Sequence, residues 1–368
     1  MNVPIPFLDL SLFDQDLKTA LERKFSEMLS KGIFSGGEEV ELLALRIADF
    51  LDTKCTIIPC SNGTDALEIA LRALEISIGD EVIVPALTWV STAEVVKLVG
   101  AKPVFIDTDR SGLMDLDLLD QLATQKTKAI IPVHLYGKMV DMKKLTSWAK
   151  NKGIKIIEDN AQGFGAHQNG KSAGVWGDIG CFSFYPSKNF GALGEAGAVT
   201  TSDKNLAKKI QMLINHGQPI RDRHEMVGRN ARMDSIQAGF LNVKLDYFKN
   251  WQEKRKNLAA LYLDHLSGTG DLILPDTILN SDHNAHLFVI QTTLRNELKQ
   301  FLQEKGIGTS IHYPTIIPKM IPYLEEVEFS IAEKITASAL SLPLNPFLTE
   351  KEVMRIIFEV KLFYGKTS

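Results

Sequence analysis

Between residues 56 and 201, short apolar runs alternate with longer amphipathic ones. The short runs predict strands at Thr56–Pro59, Glu81–Pro85, Lys102–Ile106, Ala129–Val133, Lys155–Glu158, Ile179–Phe184 and Ala198–Thr201. The longer runs predict helices at Gly63–Leu74, Trp89–Val99, Asp115–Ala123, Met142–Asn151 and Asn205–Asn215. Such alternation predicts a mostly parallel sheet covered by helices on both faces, with ligands at the carboxyl ends of its strands. Near Gln237 the pattern changes to a long helix reaching Leu266. A polar loop (Ser267–Asn284), a strand (His286–Gln291), a helix (Arg295–Lys305), a turn and strand in GIGTSIHYP, and a final helix (Glu350–Tyr364) follow. Pro314, Pro318 and Pro322 break the stretch after GIGTSIHYP into loop. The expected architecture is α/β, with a large mostly parallel-sheet domain over residues 1–245 and a smaller α+β domain over residues 246–368.

A chain of 368 residues is long enough for a substantial core, and 45% hydrophobic with 23% charged residues is ordinary for a globular protein. A net charge of -4 gives no reason to expect a nucleic acid or an anionic membrane as partner. No run reaches the ~20 apolar residues of a membrane span. The opening MNVPIPFLDLSLFDQDLK lacks the pattern of a secretory signal. Cys55, Cys60 and Cys181 form no CxxC pair, which argues against a zinc site or a disulfide framework. A cytoplasmic protein is expected.

Three segments carry chemistry. In SNGTDALEIALRAL (Ser61–Leu74) a strand ends, a small polar turn follows and a helix begins. Gly63 permits close backbone approach, and the free N–H groups of a helix start favour a phosphate. The same residues also suit a plain N-capped helix. In KIIEDNAQGFGA (Lys155–Ala166) a strand ends in Glu158 and Asp159. A carboxylate there points into the ligand crevice, where it can keep the ring nitrogen of an electron-sink cofactor protonated, and Gln162 could meet the ring oxygen. A capping aspartate would look the same. In CFSFYPSKNFGALGEAGAVTT (Cys181–Thr201) an apolar strand runs into Ser183, Ser187 and Lys188, with glycines at 191, 194 and 197. A lysine in such a loop suits a Schiff base better than a solvated charge, and burial would help to deprotonate it. Phosphate turn, carboxylate and lysine follow strands of one sheet in that order, with Lys188 29 residues after Asp159. One cofactor carrying a phosphate, a ring nitrogen and an aldehyde would join them.

The segments FSGGEEVELLALRIADFL, SNGTDALEIALRAL, GDEVIVPALTWVSTAEVV, GAKPVFIDTD, KAIIPVHLYG, IIEDNAQGFGA, FSFYPSKNFGALGEAGAVTT, GRNARMDSIQAGFLNVKL and IHYP resemble the DegT class of nucleotide-sugar aminotransferases, in order from Phe34 to Leu344. The resemblance implies a fold-type-I enzyme dependent on pyridoxal 5'-phosphate. It implies that Gly63 and Thr64 form the phosphate turn, that Trp89 stacks on the cofactor ring, that Asp159 pairs with its nitrogen and that Gln162 lies near its oxygen. It further implies that Ser183 holds the phosphate, that Lys188 is the cofactor-binding lysine, and that Asn230 reaches the phosphate of a neighbouring subunit, hence a homodimer with shared active sites. Arg229, His312 and Tyr313 fall where members of the class contact the sugar nucleotide. Two positions depart from the class: Gly194-Glu195-Ala196-Gly197 stands where Gly-Asp-Gly-Gly is usual, and Trp89 where Phe, Tyr or His is usual.

The implied reaction moves an amino group from L-glutamate to a nucleotide-linked ketosugar, giving an aminosugar for a surface glycan such as lipopolysaccharide O-antigen. RHEMVGRNARMDSIQAGFLNVKL and the preceding INHGQ look more like the members that act on a 3-keto carbon of a UDP- or dTDP-sugar. The alternatives are a 4-keto-sugar aminotransferase and a cofactor-binding regulator without turnover. Lys188 argues against the dehydratase branch, which carries histidine there.

Overall fold

The computed structural model describes residues 3–365. Two helices come first, α1 (Gln15–Lys31) and α2 (Glu38–Phe50), in a region where the sequence pattern assigned no element. The large unit then runs β1 (Thr56–Cys60), α3 (Gly63–Ala73), β2 (Glu81–Pro85), α4 (Ser91–Leu98), β3 (Lys102–Ile106), α5 (Leu119–Leu122), β4 (Thr127–Ile130), α6 (Met142–Lys152) and β5 (Lys155–Asp159). A small hairpin of β6 (His167–Gln168) and β7 (Lys171–Ser172) leads to β8 (Ile179–Ser183), β9 (Gly197–Thr201) and α7 (Lys204–Leu213). The sheet order is β1-β9-β8-β5-β4-β2-β3. Only β9 runs against its neighbours, so the mostly parallel α/β sheet expected from the strand–helix alternation is present. Its middle strands are buried on both faces, with Ile83, Val84, Ile130 and Ile157 fully covered, as helices on both sides require.

The helix α8 (Ser235–Leu266) is 32 residues long and packs on α1, α2 and the last helix. Through Trp251 its buried side chains belong to a core shared with Phe164, Phe184 and Phe190; from Leu258 onward they belong to a second core. That second core also holds β10 (Phe288–Gln291), α9 (Arg295–Glu304), β11 (Ala339–Leu342) and α11 (Glu350–Phe363), with α10 (Ser330–Ser338) leading into β11. The partner of β10 is β11, antiparallel with Phe288 opposite Leu342. GIGTSIHYP forms no strand of its own: Ser310 makes a single bridge to Ser341, and Ile307 one to Ile5. The segment around Ile5 occupies its edge instead. Among the described residues no helix is long and apolar enough to cross a membrane.

Candidate active site

The strands β1, β2, β5 and β8 all deliver chain to one edge of the sheet, and the site is built there. After β1, Asn62 caps α3 by accepting the Asp65 N–H at 2.8 Å. The capping reading of this turn is therefore correct for Asn62. The N–H groups of Gly63 and Thr64 open the helix and have no acceptor within it. A side chain at position 63 would sit 2.7 Å from the Cβ of Ser183, so only glycine lets the start of α3 lie against the end of β8. The Thr64 and Ser91 hydroxyls are 2.8 Å apart. A helix start and the hydroxyls of Thr64, Ser91 and Ser183 thus face one cavity, a setting that favours a phosphate.

Consecutive residues of β5 point to opposite faces. Glu158 turns away from the cavity and accepts from His134 Nε2 (3.0 Å) and from the backbone N–H groups of Gly174 (2.9 Å), Trp176 (2.5 Å) and Gly177 (2.7 Å). Asp159 turns into the cavity. It accepts from Thr92 Oγ1 at 2.9 Å and from the Ala161 N–H at 3.2 Å. Burial pushes its carboxyl above the ordinary range, and those two hydrogen bonds and the charge of Lys188 only partly offset this.

Lys188 lies in the tight loop between β8 and β9. Its backbone N–H donates to Tyr185 O at 2.8 Å, and Ala192 N–H returns to Phe184 O at 2.7 Å. A Cβ on Gly191 would meet Pro186 O at 2.5 Å, and the ammonium of Lys244 donates to the Gly191 carbonyl. The loop is therefore held closely. Burial lowers the pKa of the Lys188 amine, and Asp159 opposes that shift. Gln162 is oriented from both ends: its Oε1 accepts from Tyr136 N–H at 2.7 Å, and its Nε2 donates to the Tyr313 hydroxyl at 3.0 Å. The Tyr313 ring lies 5.8 Å from that of Trp89, which is 58% exposed. His312 Nδ1 meets Ser341 Oγ at 2.8 Å, and its carbonyl accepts from the Tyr136 hydroxyl at 2.5 Å.

Gly63, Thr64, Trp89, Asp159, Gln162, Ser183, Lys188, His312 and Tyr313 all line one cavity of about 740 Å³. Arg229 and Asn230 do not line it. The Arg229 guanidinium pairs with Asp65 and, at 3.1 Å, with Glu68 on the flank of α3; Asn230 is exposed, its backbone bridged to Asn215. The cavity also takes Phe7, Leu8, Thr88, Ser91 and His286, which no local pattern marked. His286 Nδ1 is 2.9 Å from Asn189 Oδ1, next in sequence to Lys188. Cys60 and Cys181 are buried and burial raises both thiol pKa values, as inert structural cysteines require.

The donor set suits pyridoxal phosphate. It offers amide and hydroxyl donors, a buried carboxylate and an amine of lowered pKa on the walls of one cavity. Fold and site together define a fold-type-I, pyridoxal-phosphate-dependent enzyme. The chain belongs to the DegT/DnrJ/EryC1/StrS aminotransferase family, whose description matches residues 15–361. It is 40% identical over 360 residues to a UDP-N-acetyl-3-dehydro-alpha-D-glucosamine 3-aminotransferase of Acidithiobacillus ferrooxidans, covering 96% of each chain. It is 38% identical over 371 residues to a protein of Geobacillus stearothermophilus named pleiotropic regulatory protein, covering 99% of each. The solved structure of S. venezuelae DesV in complex with a ketimine intermediate superposes with a TM-score of 0.95 at 35% identity, covering 100% of each chain. The protein is an aminotransferase, as expected.

Proposed function

We propose that this aminotransferase moves the amino group of L-glutamate to the 3-keto carbon of a UDP- or dTDP-linked sugar, supplying an aminosugar to a surface glycan such as lipopolysaccharide O-antigen. The observation that carries the reading is that Lys188, Asp159, Gln162 and Ser183, together with the His312–Tyr313 pair, line a single cavity. The 3-aminotransferase from Acidithiobacillus ferrooxidans, similar over almost the whole chain, supports the sugar carbon.

The bound cofactor would supply an aldehyde and a protonated ring that accepts the electron pair released when a C–H bond breaks. Asp159 would hold the proton on the ring nitrogen. Its burial and its fixed Thr92 and Ala161 partners keep that geometry without reorganisation. Lys188 would join to the aldehyde, then act as a free amine that carries a proton between carbons, a role its lowered pKa favours. Gly63, Thr64 and Ser183 would hold the phosphate, Gln162 the ring oxygen, and Trp89 the ring face. His312 and Tyr313 would meet the sugar nucleotide from the small unit, residues 246–368, across the cavity from the large unit, residues 1–245.

The two-chain part of the reading is a cytoplasmic homodimer with shared sites. Asn230 and Arg229 lie outside their own cavity, where a neighbouring subunit's cofactor and substrate could use them. Phe25, Leu29, Ile33, Phe34, Leu42 and Leu45 leave a run of exposed apolar side chains on and between α1 and α2 for a partner to cover. Mixing a Lys188→Ala chain with an Asn230→Ala chain should then recover part of the activity that each lacks alone.

The decisive test incubates the cofactor-loaded protein with L-glutamate and a panel of UDP- and dTDP-linked 3-keto and 4-keto sugars, with mass and NMR analysis of the product. A 3-amino product is expected; a 4-amino product would move the assignment to the other carbon. The likeness to a protein named as regulatory keeps a second reading, a cofactor-binding regulator. That reading predicts a cofactor absorbance band that L-glutamate does not change.

A further inference from the structure

We propose that Phe7 is a specificity-determining residue, whose ring is the platform for the sugar of the acceptor substrate; this rests on the ketosugar reading above. A segment outside the regular elements is mobile unless it is tied down. Residues 3–13 are tied on both sides of Phe7. On the near side Ile5, 1% exposed, belongs to the small unit's core. Its N–H donates to Gly306 O and its carbonyl accepts from Gly308 N–H, each at 2.8 Å. A Cβ on Gly308 would meet Phe7 N at 2.6 Å, so the segment can lie flush only against glycine. The Arg355 guanidinium donates to the carbonyls of Val3 (2.5 Å) and Lys305 (2.6 Å), clamping the strap to α11 and to the end of α9. On the far side Asp9 caps a single turn at Leu10–Leu12 by accepting Ser11 N–H at 2.8 Å, and the Phe13 ring packs 5.2 Å from that of Phe347.

Between these anchors Phe7 and Leu8 line the catalytic cavity. The Phe7 ring is half-buried, 5.7 Å from the His312 ring and tilted 37° to it. His312 is itself held by Ser341 and Tyr136. An aromatic face beside a fixed imidazole and the Tyr313 hydroxyl matches a pyranose, which has an apolar C–H face and a rim of hydroxyls. L-glutamate has no such face. Phe7 therefore acts in the acceptor half of the reaction and not in the donor half.

The test separates the halves. In Phe7→Ala, the rate at which L-glutamate bleaches the cofactor absorbance should stay within about twofold of wild type. Calorimetric affinity for the UDP- or dTDP-linked 3-aminosugar, and kcat/KM for the ketosugar, should each fall about tenfold, a loss of the size expected for one aromatic contact. Phe7→Tyr should restore both. Melting temperature and cofactor absorbance report folding independently of turnover. Unchanged nucleotide-aminosugar affinity in Phe7→Ala, or an equal loss in both halves, would overturn the role of Phe7. Wild-type enzyme that converts L-glutamate yet binds no nucleotide aminosugar would instead remove the ketosugar reading, and this inference with it.

Discussion

Two acid–base pairs lie back to back about β5, and they are satisfied to different degrees. Behind the strand, Glu158 accepts from three backbone N–H groups and from His134, whose Nδ1 accepts the Val140 N–H at 3.3 Å and so leaves the proton on Nε2. Every strong acceptor site of that carboxylate has a partner. In front of the strand, Asp159 has two hydrogen bonds and, across the cavity, the charge of Lys188. Burial presses its proton affinity up and that of Lys188 down. The rear pair is complete as it stands and holds β5 to the chain around Gly174–Gly177. The front pair has fewer hydrogen bonds and shifted proton affinities, the mark of a functional site.

Substitutions should separate the two regions. The largest effect belongs to the front: Asp159→Asn should lower kcat/KM by about a hundred- to a thousandfold, the range for one fixed electrostatic group, with little change in melting temperature. Steady-state kinetics beside thermal unfolding checks this, and near-normal turnover would remove Asp159 from the ring-nitrogen role. Glu158→Ala should do the opposite. It strands three backbone donors and His134 in the interior, at about 3–5 kcal/mol of stability, and cofactor-saturated turnover of the surviving folded fraction should change far less. Chemical denaturation with parallel activity assays distinguishes the cases. Thr92→Val removes one of the two bonds to Asp159 and should cost about fivefold in kcat/KM, near 1 kcal/mol, with the cofactor still bound.

The smallest effect is one of pH. Burial, assisted by the Lys188 charge, holds His312 down to about 4 and His286 well below its ordinary value. Both are neutral when folded and near 6.5 when unfolded. Their contribution to stability is complete above about pH 6.5 and is lost as the pH falls from there toward 4. The melting temperature should therefore drop by a few degrees between pH 7 and 5, and His286→Asn should flatten that slope. An unchanged slope would mean that His286 takes up its proton at the same pH in the folded and the unfolded chain.

The same contrast explains what could be read from the chain alone. Lys188, Asp159, Gln162, Ser183 and the turn at Gly63 were legible because each ends one of three strands or follows it within a few residues, so a local pattern carries both the element and the chemistry. Thr92, Tyr136, His286 and Phe7 were not. Thr92 reaches Asp159 across 67 positions, and Tyr136 reaches His312 across 176. Only the strand order brings such residues together. The C-terminal sheet was misplaced for a related reason. The four residues of β11 alternate too briefly to signal a strand, whereas GIGTSIHYP looks like one but spends its backbone on Ile5 and on a single bridge. Arg229 and Asn230 stand apart: neither lines the described cavity, and the roles proposed for them rest on the proposed dimer.

The most direct test of the account is to reduce the coloured holoenzyme with borohydride, digest it and locate the pyridoxyl group by mass spectrometry. The account predicts the group on the peptide that contains Lys188 and on no other. A label on a different lysine, such as Lys244, or no label on a protein that still turns over, would contradict it.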